Sequence, residues 1–243
     1  MKQSNKIKLG MPNLNYHGLD ETWLLKFCGS VHWNLLHKEV NVYEGEERFY
    51  ASFFHIQVLF ETNQSAYKEN DVLKINSELF KYNDKIYRSV HKFGNSQVIM
   101  DTIFVKKGTE GSLTKFKPKH TETMCQEILD IGISEHQDKK RKILLESVTF
   151  GKGNHLIFPP SNLFNGVKIL YCANYLFLVS LSEFVQHKKM FGPIKTINIS
   201  YYGNMMPTDI LYGKTSLLHE DSENTETTLF VKNLPISYCE ITR

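Results

Sequence analysis

The feature that most limits what this chain can fold into is a grammar used twice. In each half a helix-patterned segment is followed by a series of β-patterned segments. Leu25–Glu39 lies over Ile169–Glu183 at one constant offset, so that Phe27 falls on Tyr171, Cys28 on Cys172, Gly29 on Ala173, Trp33 on Phe177 and Glu39 on Glu183. A second block, Asn70–Asn95, overlays Thr208–Asn233 without a gap, and Asp71, Val72 and Leu73 meet Asp209, Ile210 and Leu211. Two ordered matches of this kind imply a duplicated unit rather than one mixed domain.

The elements of each half follow from periodicity. Asp20 is placed as an N-cap, and Trp23, Phe27, Val31 and Leu35 then recur every four residues, predicting a helix that ends near Glu39. Its counterpart is expected to follow Asn165 and run to about His187, apolar on nearly all sides and therefore enclosed. Runs rich in Val, Ile, Phe and Tyr predict strands over Arg48–Glu61, Val72–Phe80, Lys85–Lys92 and Gln97–Lys107 in the first half. The second half repeats them over Lys195–Tyr202, Ile210–Leu218, Thr227–Lys232 and Ile236–Thr242. A helix followed by a meander, written twice, predicts an α+β double hot-dog fold: two antiparallel sheets, each wrapped around a long central helix. The expected organisation is a first repeat over 1–112, a charged linker over 113–142 with a short helix around Thr123–Ile131, and a second repeat over 143–243.

Composition removes several function classes. A net charge of +3 over 243 residues gives no basic field for nucleic acid. No apolar run is long enough to span a bilayer, and the basic MKQSNKIKLG start has no apolar stretch behind it, so neither a membrane nor a secretory address is expected. The four cysteines (Cys28, Cys125, Cys172, Cys239) form no CxxC pair and fit buried thiols of a cytoplasmic protein. No GxGxxG or P-loop occurs, and His32 and His37 lack a carboxylate set to complete a metal site; no cofactor and no metal are expected.

The repeat offers its own test for a site. A position polar in one half and apolar in its twin is not polar for the sake of folding. His32 aligns with Leu176, and Tyr50 falls on Ile194. This favours one site per chain, built mainly from first-half groups and completed by the start of the second helix; on the residues alone, however, the favoured reading is structural, a core histidine and a strand tyrosine.

The motifs MPNLNYHGLDETWLLKFCGSVHW (Met11–Trp33), RFYASF (Arg48–Phe53), the FNG of Phe164–Gly166 and YYGNMMPTD (Tyr201–Asp209) occur in order across almost the whole chain. Together they resemble the double hot-dog family typified by the bifunctional acyltransferase/decarboxylase of the leinamycin polyketide pathway. The resemblance implies transfer of an acyl group from a (methyl)malonyl-type CoA to an acyl carrier protein, with decarboxylation, through an ester on the tyrosine that matches here as Tyr50. A phenol with a pKa near 10 needs a base or cation, for which His32 or Arg48 would serve. Asn165 and Gly166, at the expected start of the second helix, would present backbone N–H groups to an enolate oxygen. Trp33 and Ser52 complete the expected substrate site. The chain departs from the family pattern before FNG, where Leu163 stands in place of an Asp. The alternatives are a hot-dog thioesterase or dehydratase, or a non-catalytic acyl-binding protein. The Lys139–Lys142 run reads as a solvated linker or as a landing site for CoA phosphates or an acidic carrier protein. A homodimer is left open.

Overall fold

The computed structural model describes residues 1–40, 43–44, 47–83, 85–107, 113–115, 125–128, 133–146, 155–157, 159–165, 170–219 and 222–243. The chain divides into two compact units, 1–131 and 132–243. The boundary falls inside the segment 113–142 that the sequence reads as a linker.

In the first unit the chain runs through β1 (Lys2–Lys8), a small ladder of β2 (Leu14–Asn15) with β3 (Gly18–Leu19), helix α1 (Glu21–Glu39), β4 (Tyr43–Glu44), β5 (Glu47–Leu59), β6 (Val72–Asn83), β7 (Ile86–Phe93), β8 (Ser96–Lys107), β9 (Leu113–Lys115) and β10 (Gln126–Glu127). The main strands form an antiparallel sheet in the order β1-β6-β7-β8-β5. The helix begins where expected: Asp20 Oδ1 accepts the Trp23 N–H at 2.5 Å, which satisfies one of the donors that a helix start leaves open. One face of α1 packs on one face of the sheet. Val31, Leu35 and Leu36 from the helix meet Phe49, Leu79, Tyr87 and Phe104 from the strands, all buried. The alternation of the strands carries this, since β6 and β7 bury every second residue over most of their length.

β1 has no counterpart among the strands that periodicity predicts. Its seven residues include a single apolar one, Ile7, so no pattern marks it. It pairs with the first half of β6 along its whole length, Lys2 opposite Glu78 through Lys8 opposite Val72. Exposed Lys2, Lys6 and Lys8 put charge on this strand, a composition that discourages further edge pairing.

The second unit contains α2 (Ile133–Glu146), β11 (His155–Ile157), α3 (Asn174–His187), β12 (Thr196–Tyr201), β13 (Leu211–Leu217), β14 (Thr225–Val231) and β15 (Leu234–Thr242). Its sheet runs β12-β15-β14-β13-β11, antiparallel throughout. The hairpin between β14 and β15 turns at Lys232 and Asn233, with φ of 52° and 66°. Two consecutive positive φ values suit the twist of a two-residue turn.

Three sequence expectations change here. The second helix starts at Asn174, not at Asn165. A β-bridge joins Phe164 to Leu170 ahead of it, and Asn174 Nδ2 ties the helix start back to the Leu163 carbonyl at 2.6 Å. Consequently Cys28 lies within α1 while its repeat twin Cys172 precedes α3. Second, α3 is not enclosed on all sides: Phe177 and Phe184 are 45% and 50% exposed. Third, the helix expected around Thr123–Ile131 is absent from residues 125–128, where β10 pairs parallel with β6, and the rest of that span lies outside the described residues. The linker segment instead forms α2, with the Lys139–Lys142 run inside it.

Candidate functional site

His32 is fully buried on α1, facing the sheet. Its Nδ1 lies 2.7 Å from Ser89 Oγ and its Nε2 2.8 Å from Thr102 Oγ1. The same Ser89 hydroxyl lies 2.8 Å from Nε2 of His91, whose Nδ1 is 2.8 Å from Ser77 Oγ. The result is a continuous hydroxyl–imidazole chain, Thr102–His32–Ser89–His91–Ser77, under the helix. Burial pushes His32 and His91 down to about 3, against which the Asp101 charge raises His32 only partly. Two neutral imidazoles with every nitrogen hydrogen-bonded satisfy a polar core.

Tyr50 and Ser52 sit on β5, both half-buried. Phe49 and Ala51 beside them pack against the α1 core, so by strand alternation Tyr50 and Ser52 project from the opposite face. The structure therefore does not bring Tyr50 and His32 together, because the sheet lies between them. The reason is register: the odd-numbered face of β5 covers the helix. Further along β5 a bulge between Phe53 and His55 restores His55 to this outer face, opposite Asp101 of β8. Asp101 is buried, with Arg88 Nε at 2.7 Å and Nη2 at 2.8 Å, and His55 Nδ1 at 3.0 Å. Burial works against the Asp101 charge, but the Arg88 and His55 hydrogen bonds outweigh it and hold the carboxyl below its ordinary range. Of the other expected site residues, Trp33 on α1 is half-buried and meets the His37 ring edge-on at 4.4 Å. Asn165 is exposed, ahead of α3. Gly166 and the Arg48 side chain lie outside the described residues.

A different group has the environment expected of a reacting one. Glu21, the first residue of α1, is 8% exposed. Gln64 Nε2 donates to its Oε1 at 2.5 Å and Asn15 Nδ2 to its Oε2 at 2.8 Å. Gln64 also donates to the Leu19 carbonyl at 3.0 Å, and the loop bearing it is pressed on Gly18, where an added Cβ would overlap the Gln64 carbonyl. Burial raises the Glu21 carboxyl, and the two amide donors only partly oppose that shift. A carboxylate desolvated yet aimed by two neutral amides, at the positive end of a helix of 19 residues, keeps its basicity and has donors nearby for an anion. Sequence reading misses it because an acid directly after an Asp N-cap looks like an ordinary first-turn residue, and Gln64 lies far away in the chain. Among the described residues no cluster of three or more His, Cys, Asp or Glu side chains is placed to hold a metal, and no helix is long and apolar enough to cross a membrane.

No family model matches the chain, and no curated protein matches it in sequence. Solved structures do match in shape. A 12:0-ACP thioesterase from Umbellularia californica has a TM-score of 0.67 at 6% identity, covering 99% of this chain and 96% of that one. An acyl-ACP thioesterase from Bacteroides thetaiotaomicron gives 0.67 at 6% identity, with 99% and 97% covered. HtdX of Mycobacterium tuberculosis gives 0.54 at 9% identity, with 100% and 99% covered. At such identities the likeness concerns the fold, and the fold is the hot-dog fold.

Proposed function

We propose that this chain hydrolyses acyl thioesters, with Glu21 as the general base. The observation that carries the reading is the Glu21 carboxylate, buried and raised at the start of α1 between Asn15 and Gln64. Support comes from the end-to-end likeness to proteins named as acyl-ACP thioesterases, which makes an acyl-CoA or acyl carrier protein thioester the first substrate class to test. In this reading Glu21 takes a proton from water as the water oxygen bonds to the thioester carbonyl carbon. The carbonyl oxygen becomes an anion beside the helix N-terminus. Collapse breaks the C–S bond, and the Glu21 carboxylic acid returns the proton to the leaving thiolate, giving acid and thiol.

The acyltransferase/decarboxylase reading rests on the sequence resemblance, and its tyrosyl ester would form on the far face of the sheet from His32. One experiment separates the two. The protein is incubated with acyl-CoA and acyl carrier protein thioesters of graded chain length and with malonyl- and methylmalonyl-CoA, while thiol release and intact mass are followed. Steady thiol release that falls at least about 100-fold in Glu21→Gln supports hydrolysis. Unchanged turnover in Glu21→Gln, or an acyl adduct mapped to Tyr50, overturns it.

A further inference from the structure

The face of the first sheet turned away from α1 carries a group of lysines that folding alone does not explain. Lys6 of β1 stands directly opposite Lys74 of β6. Lys8 is the next residue of β1 on that face, and Lys92 of β7 stands opposite Asn76, the next residue of β6 on it. All four lysines are exposed. Like charges set directly across a strand pair cost stability, and none of the four forms an ion pair with a described residue. The acids of this face are engaged elsewhere: Glu78 with Lys2 at 3.3 Å, and Asp101 with Arg88 and His55. Asp71, the acid next to Val72 in the chain, accepts the Lys68 N–H at 2.8 Å. Four ammonium groups therefore share one corner of the sheet without compensation.

Protection of a free edge accounts for lysines on β1, but β6 and β7 have neighbours on both sides. Val72, 64% exposed, is the only strongly exposed apolar residue of the three strands, so the patch offers charge and hardly any apolar area for insertion into a bilayer. Its place in the chain ties it to the Glu21 site. Leu9, directly after Lys8, donates its N–H to the Asp71 carbonyl at 2.8 Å and accepts the Asn70 N–H at 2.8 Å. From there β1 leads into the segment that carries Asn15, and the loop that carries Gln64 leads into β6. These are the two amides that aim Glu21.

We propose that this patch docks the acidic surface of a carrier protein, so that the substrate of Glu21 arrives as a carrier-bound acyl thioester rather than as free acyl-CoA. The identity of the cargo rests on the thioester reading; the docking surface for an acidic protein does not. Complementary charge of this kind speeds encounter and fixes orientation, which a substrate anchored to a protein requires and a free thioester does not.

Binding is read first, because it needs no turnover. Calorimetric titration of the full chain with a holo acyl carrier protein at low salt should show saturable binding that weakens as salt is added. Lys6→Glu turns the like-charged pair with Lys74 into an oppositely charged one, so its urea midpoint should hold or rise while carrier binding weakens at least about tenfold. Lys214→Glu, the same charge change at an exposed position of the second unit, should leave binding within about twofold of the parent. In turnover, Lys6→Glu should lower kcat/KM for an acyl carrier protein thioester at least about tenfold more than for the matching acyl-CoA. The proposal is overturned by absence of carrier binding, by equal weakening in Lys6→Glu and Lys214→Glu, by a kcat/KM loss shared equally between the two substrates, or by binding to phosphatidylserine vesicles in place of the carrier protein. Hydrolysis of acyl-CoA without carrier binding would remove the docking surface and leave the hydrolytic reading standing. Carrier binding that depends on Lys6, with no thioester hydrolysed, would support the docking surface and remove only its link to Glu21.

Discussion

Glu21 and Gly18 show how single residues define the candidate site. Desolvation lifts the Glu21 carboxyl above its ordinary 4.5, so it holds its proton at pH values where an exposed glutamate has lost it. If hydrolysis needs the carboxylate, activity must rise with pH through the raised pKa, and the acid limb of kcat should have its midpoint above 4.5 and disappear in Glu21→Gln; a pH–rate series from 4 to 8 checks this. Gly18 sits at φ +118°, and a Cβ there would overlap the Gln64 carbonyl. Gly18→Ala should therefore cost about 3 kcal/mol of stability and also lower turnover, because the clash displaces the loop that aims Glu21. Urea melts read the first effect and kcat the second. His32 illustrates the reach of a sequence at this scale. Its mismatch with Leu176 in the repeat correctly marks it as unusual, but a polar exception on a helix can open on a cleft or on a polar core. The difference lies in Ser77, Ser89, His91 and Thr102, spread over three strands distant in the chain.

At the level of elements, legibility follows the length and regularity of the apolar pattern. The ends of α1 and the spans of β6, β7 and β8 are readable because capping and alternation are local signals. β1 is held by a complete antiparallel register with β6 rather than by its own apolar residues, and that register is non-local. The start of α3 is not readable, because Asn165 resembles a cap, whereas the true start is fixed by the Phe164–Leu170 bridge and by Asn174 bonding to Leu163. The cap of α1 supports a clear prediction. Asp20 Oδ1 accepts the Trp23 N–H, and its removal leaves an open donor in the turn that carries Glu21. Asp20→Ala should cost about 1 kcal/mol, measured as a lower urea midpoint at unchanged slope, while Asp20→Asn, which keeps the acceptor, should lose less.

The two histidines of the core chain give the whole molecule a signature that does not depend on any catalytic role. Both are buried and lowered to about 3, while in the unfolded chain each titrates near 6.5. Between those values the unfolded state binds protons that the native state refuses, so stability must rise with pH and be lost as pH falls from about 6.5 towards 3. Each histidine contributes up to about 1.4 kcal/mol per pH unit in that window, or about 3 together where both titrate fully on unfolding. Glu21 acts in the opposite sense: its raised pKa means the native state keeps a proton that the unfolded state releases, so it lowers stability as pH climbs from 4.5 through the folded value. Asp101, held low by Arg88 and His55, loses its contribution only as pH falls through and below the range where unfolded aspartates titrate. Near pH 6 two histidines therefore outweigh one glutamate and set the sign of the pH dependence. Urea unfolding between pH 7.5 and 5 should show stability falling steeply with acid, and His91→Gln, which keeps hydrogen-bonding capacity without titrating, should remove about half of that slope. A flat profile over this interval, or a slope untouched in His91→Gln, would mean that the imidazoles are not the buried neutral pair under α1.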